Sequence, residues 1–71
     1  MTETPTFQLR VVQEKAELDE KLKKLIAFFE TESYRQLLEE ERDRLDRQCG
    51  AMSDYSRILG ERINAFMEVA Q

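Results

Sequence analysis

A chain of 71 residues with 15 acidic and 11 basic side chains, net charge −4, has room for one domain and lacks the Lys/Arg excess that drives non-specific nucleic-acid binding. One cysteine, Cys49, and no histidine exclude an intrachain disulfide and leave too few ligands for a zinc site. A chain this short buries only about 60% of its unfolded surface, so self-association is the remaining route to stability for a small scaffold.

The N-terminal MTETPTF has neither the basic region nor the apolar run of a signal peptide. The longest apolar stretch, Leu25 to Phe29, is far short of the ~20 residues needed to cross a bilayer. A soluble protein is expected, and the lone cysteine fits a reducing cytosol.

Thr4-Pro5 reads as a helix start, with threonine capping open N–H groups and proline in the first helical position. From there to Phe29 neither Gly nor Pro intervenes. Val11, Leu18, Leu22, Leu25 and Phe29 mark one helical face, broadened by Val12, Ile26 and Phe28. Glu30-Thr31-Glu32-Ser33 breaks the pattern, and Ser33 with Gln36 reads as a capping box that restarts the helix at Tyr34. Residues 34–38 fit either a short helix of their own or the first turn of the next. The acidic run Glu39-Glu40-Glu41 suits the positive end of a helix dipole.

In the last segment Leu45, Met52, Leu59 and Phe66 recur every seven residues, with Gln48, Tyr55 and Arg62 interleaved at a/d spacing. Cys49, Ile58 and Ile63 flank that stripe. Gly50 and Gly60 each cost ~1 kcal/mol against alanine inside a helix, and close approach of another helix is their expected use. The fold class is therefore all-α, a single helical-hairpin domain over 1–71. It comprises a helix over about 5–30, a connector over about 31–38 and a helix over about 39–69.

Polar side chains in a seam lose hydration unless they find partners. Gln48, Tyr55 and Arg62 either fix register and oligomer state or line a ligand pocket between subunits. Arg10, Glu14, Glu17, Lys21 and Lys24 share a second line beside the apolar stripe of the first helix. That line is either a solvated face carrying a Glu17–Lys21 pair or part of the same pocket. Phe7 is either a packing contact near the helix start or a ring offered to a planar base. No histidine can serve as a base, and no Ser-His-Asp, Cys-His, P-loop or GxGxxG arrangement is present. No enzyme activity, metal or cofactor is expected, and Cys49 reads as a small buried hydrophobe.

The run FQLRVVQEKAELDEKLKKLIAFF over 7–29 resembles the opening helix of the phage anti-CBASS cyclic-oligonucleotide sponges, whose helical hairpin is shared with anti-Thoeris sponges. The matching features are Phe7-Gln8 with Arg10-Val11, Glu14-Lys15, Glu17 to Lys21, Leu25 and Phe28-Phe29. The second half matches in order at Leu45, Arg47-Gln48, Met52, Tyr55, Leu59, Glu61-Arg62-Ile63 and Phe66. Together they cover about residues 7–66.

The resemblance implies a phage-encoded homo-oligomer, a hexamer, in the cytoplasm of the infected bacterial host. Such proteins sequester cyclic di- and trinucleotide second messengers without cleaving them, and need no DNA, RNA or membrane partner. It further implies Phe7 stacked on a base, Lys21 at a phosphate and Arg62 reaching a base or phosphate from the facing helix. Arg10 and Tyr55 share those faces. Phe7 stands where a tyrosine-like aromatic is expected, so the hydroxyl is missing. The competing reading is a helical-hairpin protein–protein interaction module with no nucleotide ligand.

Overall fold

The computed structural model of the chain describes residues 5–70, with side chains as far as Glu68. Three helices follow in order: α1 (Thr6–Phe28), α2 (Glu32–Arg35) and α3 (Glu39–Ala70). No strand occurs among the described residues.

Pro5 is the residue before α1 rather than its first member. Its backbone is extended (φ −56°, ψ 141°), and its carbonyl accepts the N–H groups of Gln8 at 3.0 Å and Leu9 at 3.3 Å. Proline's fixed φ suits this entry, and its missing N–H costs nothing there. Thr4, the expected cap, lies outside the described residues.

The connector corrects the expected capping box. Thr31, not Ser33, opens α2. Its extended backbone (φ −95°, ψ 158°) lets its hydroxyl accept the N–H of Tyr34 at 3.2 Å while donating to the carbonyl of Phe28 at 2.6 Å. One side chain thus closes α1 and starts α2, leaving Ser33 inside the short helix. Residues 36–38 then turn the chain, and the carbonyl of Leu38 receives the N–H groups of Glu41 and Arg42, both at 3.0 Å. Glu39, Glu40 and Glu41 occupy the first turn of α3, where the helix dipole favours acids.

The two long helices pack antiparallel into a rod of 55 × 15 × 15 Å. Val11, Leu18 and Leu59 are the buried core, with Met52, Ile63 and Phe66 packed against it. The radius of gyration, 16.3 Å, exceeds the ~11 Å of a rounded domain of this length. The core is a thin line, not a layer.

Burial also corrects the assignment of the α3 seam. Leu45, Met52, Leu59 and Phe66 face α1, but Cys49, Ser56 and Ile63 accompany them. Gln48, Tyr55 and Arg62 are exposed. Both flanks satisfy a 3-4 alternation about the same heptad. The flank with less to desolvate turned inward, since burying Arg62 would cost far more than burying Ile63. The glycines divide: a Cβ on Gly60 would lie 3.3 Å from the Lys15 Cε of α1, a close approach from the other helix, whereas one on Gly50 would meet nothing within 4 Å in this chain.

Candidate functional site

At 100° per residue, each long helix offers two flanks beside its buried line. On one broad side of the hairpin, Lys15 and Asp19 of α1 meet Ser56 of α3. The Lys15 ammonium donates to Asp19 at 2.8 Å and to the Ser56 hydroxyl at 3.0 Å. Ser56 in turn donates to the second oxygen of Asp19. Hydrogen bonds from Lys15 first, then Ser56, hold the Asp19 carboxyl below its ordinary value, against a smaller opposing effect of lost hydration. Each member has its partners within the chain. Chemically the cluster resembles a register lock more than a reactive centre, because Ser56 is buried and its neighbours are already committed.

The opposite broad side carries the five residues that the resemblance implies as ligand contacts. Phe7, Arg10 and Lys21 fall on the α1 flank away from Lys15 and Asp19, and Tyr55 and Arg62 fall on the α3 flank away from Ser56. All five are exposed, with Phe7 at 57% and Tyr55 at 43%. Among the described residues, Arg10, Lys21 and Arg62 form no ion pair, unlike Arg35, Arg44, Arg47 and Arg57 with neighbouring acids. The Phe7 ring meets the edge of Phe66, with centroids 5.8 Å apart and planes at 89°. This contact fixes Phe7 at the open end of the hairpin and leaves much of the ring uncovered.

Register decides what one hairpin can assemble. Phe7 sits level with Phe66, and Ser56 lies between the levels of Lys15 and Asp19. Arg62 is then level with residue 11 and Tyr55 with residue 18. Lys21 and Arg62 are about 15 Å apart along the axis at 1.5 Å per residue. A single chain gathers the five residues on one side but does not bring Lys21 and Arg62 to one phosphate. The sequence indicated the residue types; it did not indicate Phe66 as the support of Phe7. The seven-residue recurrence placing Phe66 opposite the start of α1 was the available signal.

The turn end is chemically different. Tyr34 packs against Phe29 (4.8 Å) and Phe28 (6.0 Å) and donates to Asp46 at 3.1 Å. Lost hydration, then the Asp46 carboxylate, raises its phenol pKa. Two surface depressions lie there, lined by Glu39, Glu40, Asp43, Arg44 and Arg47 in one case and by Tyr34, Glu39, Arg42, Asp43 and Asp46 in the other. Acids outnumber bases in both, which disfavours an anion. Among the described residues no group of three or more side chains is placed to hold a metal ion, and no helix is long and apolar enough to cross a membrane.

A family model described as Sequestin matches residues 5–65, and its name agrees with the resemblance to sequestering sponge proteins. No curated protein and no solved structure matches the chain.

Proposed function

The chain belongs to the Sequestin family, and from that premise we propose that it binds cyclic di- and trinucleotide second messengers of bacterial CBASS immunity and withholds them without cleavage. The observation that carries this reading is the gathering of Phe7, Arg10, Lys21, Tyr55 and Arg62 on one broad side, their cations unpaired with any described residue. Aromatic rings accept the flat bases, with stacking worth about 1–3 kcal/mol per base in single-strand binders. Free guanidinium and ammonium groups meet the phosphates. A sponge needs tight binding and slow release, so it requires no nucleophile or general base.

The working form is a homo-oligomer, a hexamer in this reading. Two observations support assembly. The chain exposes 5845 Å², about 1,200 Å² more than the ~4,600 Å² of a typical monomer of its mass. The separation of Lys21 from Arg62 also calls for a second copy. A two-fold axis perpendicular to the helices at the level of residue 16 would set Lys21 of one copy level with Arg62 of the other, twice over. Phage origin and action in the infected host's cytoplasm belong to the same proposal.

The competing module that binds only protein draws support from the exposed Leu9, Val12 and Ile26. Calorimetric titration with a panel of cyclic di- and trinucleotides, followed by recovery of the ligand, separates the readings. Intact ligand and saturable heat are expected. Absence of heat across the panel would leave the interaction module, and linearised ligand would make the protein an enzyme. Lys21→Ala and Arg62→Glu should each abolish binding while sedimentation still reports the oligomer.

A further inference from the structure

A second heptad runs along α3. Gln48, Ala51, Tyr55, Ile58, Arg62 and Ala65 follow one another at alternating steps of three and four residues, the a/d pattern of a helix that packs on another. All of them are exposed, Ile58 at 49% and Tyr55 at 43%. At 100° per residue the stripe points about 80° away from Leu59, so α1 leaves it open. It stands on the same broad side as Arg10 and Lys21, and toward the start of α3 it passes into the Glu41–Arg44 ion pair. The matching line of α1, Arg10, Glu14, Glu17, Lys21 and Lys24, is charged throughout. One half of this side has the surface of a helix contact, the other that of a solvated groove. The surplus of about 1,200 Å² over a typical monomer exceeds the ~800 Å² per partner of a standard interface.

Two copies related by a two-fold axis across the helices run antiparallel along such a stripe, and each a position then lies opposite a d position. The axis must fall midway between an a and a d, which allows a register only about every 3.5 residues, or about 5 Å. Centred between Ser56 and Arg57, the stripe pairs with itself in full: Tyr55 with Ile58, Ala51 with Arg62 and Gln48 with Ala65 of the other copy. On its flank Arg47 falls opposite Glu68, and Asp54 opposite Glu61, both already engaged by Arg57. One step along, at Gly60, Glu61 would meet Glu61 and Asp54 would meet Glu68, with Arg47 left out. A parallel pair would set Arg62 against Arg62.

The position of Lys21 selects the same axis. Phe7 beside Phe66, and Ser56 between Lys15 and Asp19, put that axis level with residues 16 and 17 of α1. Arg62 then passes the small Ala51 of the other copy within about 1.5 Å of the level of that copy's Lys21. Arg10 and Phe7 of its own chain lie within about 8 Å of the same level. At the Gly60 register Lys21 and Arg62 would stand about 9 Å apart along the axis. Tyr55 sits on the inner edge of the stripe, toward α1, where its ring belongs to contact and groove together.

Resting on the nucleotide reading for the groove but not for the contact, we propose that the Gln48–Ala65 stripe of α3 is the face on which a second copy docks antiparallel, joining Arg62 of each copy to Lys21 of the other in two equivalent sites. Cysteine cross-linking of the full chain reads the register. In a Cys49→Ser background, Gln48→Cys combined with Ala65→Cys should oxidise to a disulfide-linked dimer. Either substitution alone should not, because each thiol would lie about 25 Å from its counterpart in the other copy, and the same distance separates the two within one chain. Ile58→Asp should shift sedimentation to a smaller species and weaken cyclic dinucleotide binding at least about tenfold, the scale of a central interface residue. Cross-linking by the single variants, its absence in the pair, or an unchanged mass for Ile58→Asp would overturn the docking face. A cross-linked dimer that takes up no cyclic dinucleotide would keep the face and overturn the nucleotide reading instead.

Discussion

The two broad sides of the hairpin are built from similar side chains with opposite outcomes. On one, Lys15, Asp19 and Ser56 satisfy one another across the helix interface. On the other, Arg10, Lys21 and Arg62 face outward without a carboxylate from any described residue. Charge type does not separate them, since each side carries lysine and acid. Proximity to the seam does. Lys15 runs its stem past Gly60 and ends on a buried hydroxyl, so its charge is used inside the chain. Lys21 lies farther from α3, and its charge is available to something else.

The comparison breaks first if the shared core fails. Leu59, at 1% exposure the most buried of the described side chains, holds both sides together. Leu59→Ala should cost about 2–5 kcal/mol, enough to unfold so thin a hairpin. Denaturant titration read by circular dichroism would show this, and a retained midpoint would mean that contacts between copies carry the fold.

Ser56→Ala comes next, at about 1 kcal/mol for a lost buried hydrogen bond, with no change in nucleotide affinity. The same cluster sets a pH dependence. Because the folded Asp19 pKa is depressed, its contribution is fully present above the ordinary carboxylate pKa and is lost as pH falls through the folded value. Melting temperature should drop below about pH 4, less steeply in Asp19→Asn. Equal slopes would remove Asp19 from the account.

On the opposite side, Lys21→Ala should shift stability by less than ~1 kcal/mol while ending ligand binding. A matching loss of stability and affinity would mean that the two sides are not distinct. The smallest effect separates the glycines. Gly50→Ala, with open space at its Cβ, should gain up to ~1 kcal/mol. Gly60→Ala should gain less, because the Lys15 stem must yield. If Gly50→Ala instead dissociates the proposed oligomer in sedimentation, another copy packs on that glycine.

Much of this was legible in the residues. The uninterrupted run to Phe29 and the heptad Leu45, Met52, Leu59, Phe66 mark two amphipathic helices, and α1 and α3 pack through that heptad. The flank of the heptad was not legible. Gln48-Tyr55-Arg62 and Cys49-Ser56-Ile63 fit the same spacing, and a serine is a poor advertisement for an interior. Ser56 belongs there because Lys15 and Asp19 wait opposite it, a match visible only once the register is known. Thr31 displaced Ser33 as the cap for a related reason: both are good capping residues, and the end of α1 decides between them. Of the candidate site, the residue types and their common sides were readable. The axial offset between Lys21 and Arg62 needed the register.

Phe7 meets Phe66 edge-on, and a base is proposed to lie on its face. The ends of a hairpin are where local opening costs least. Each opening parts Phe7 from Phe66 and disperses the proposed binding surface with it. A ligand that requires the closed pair therefore draws on the free energy of closing, and returns it as protection by mass action. Amide hydrogens near residues 8–11 and 62–66 should exchange more slowly when nucleotide is bound, while those beside Thr31 remain as they were. Residence time would then be set by how often the far end of a 55 Å rod comes undone.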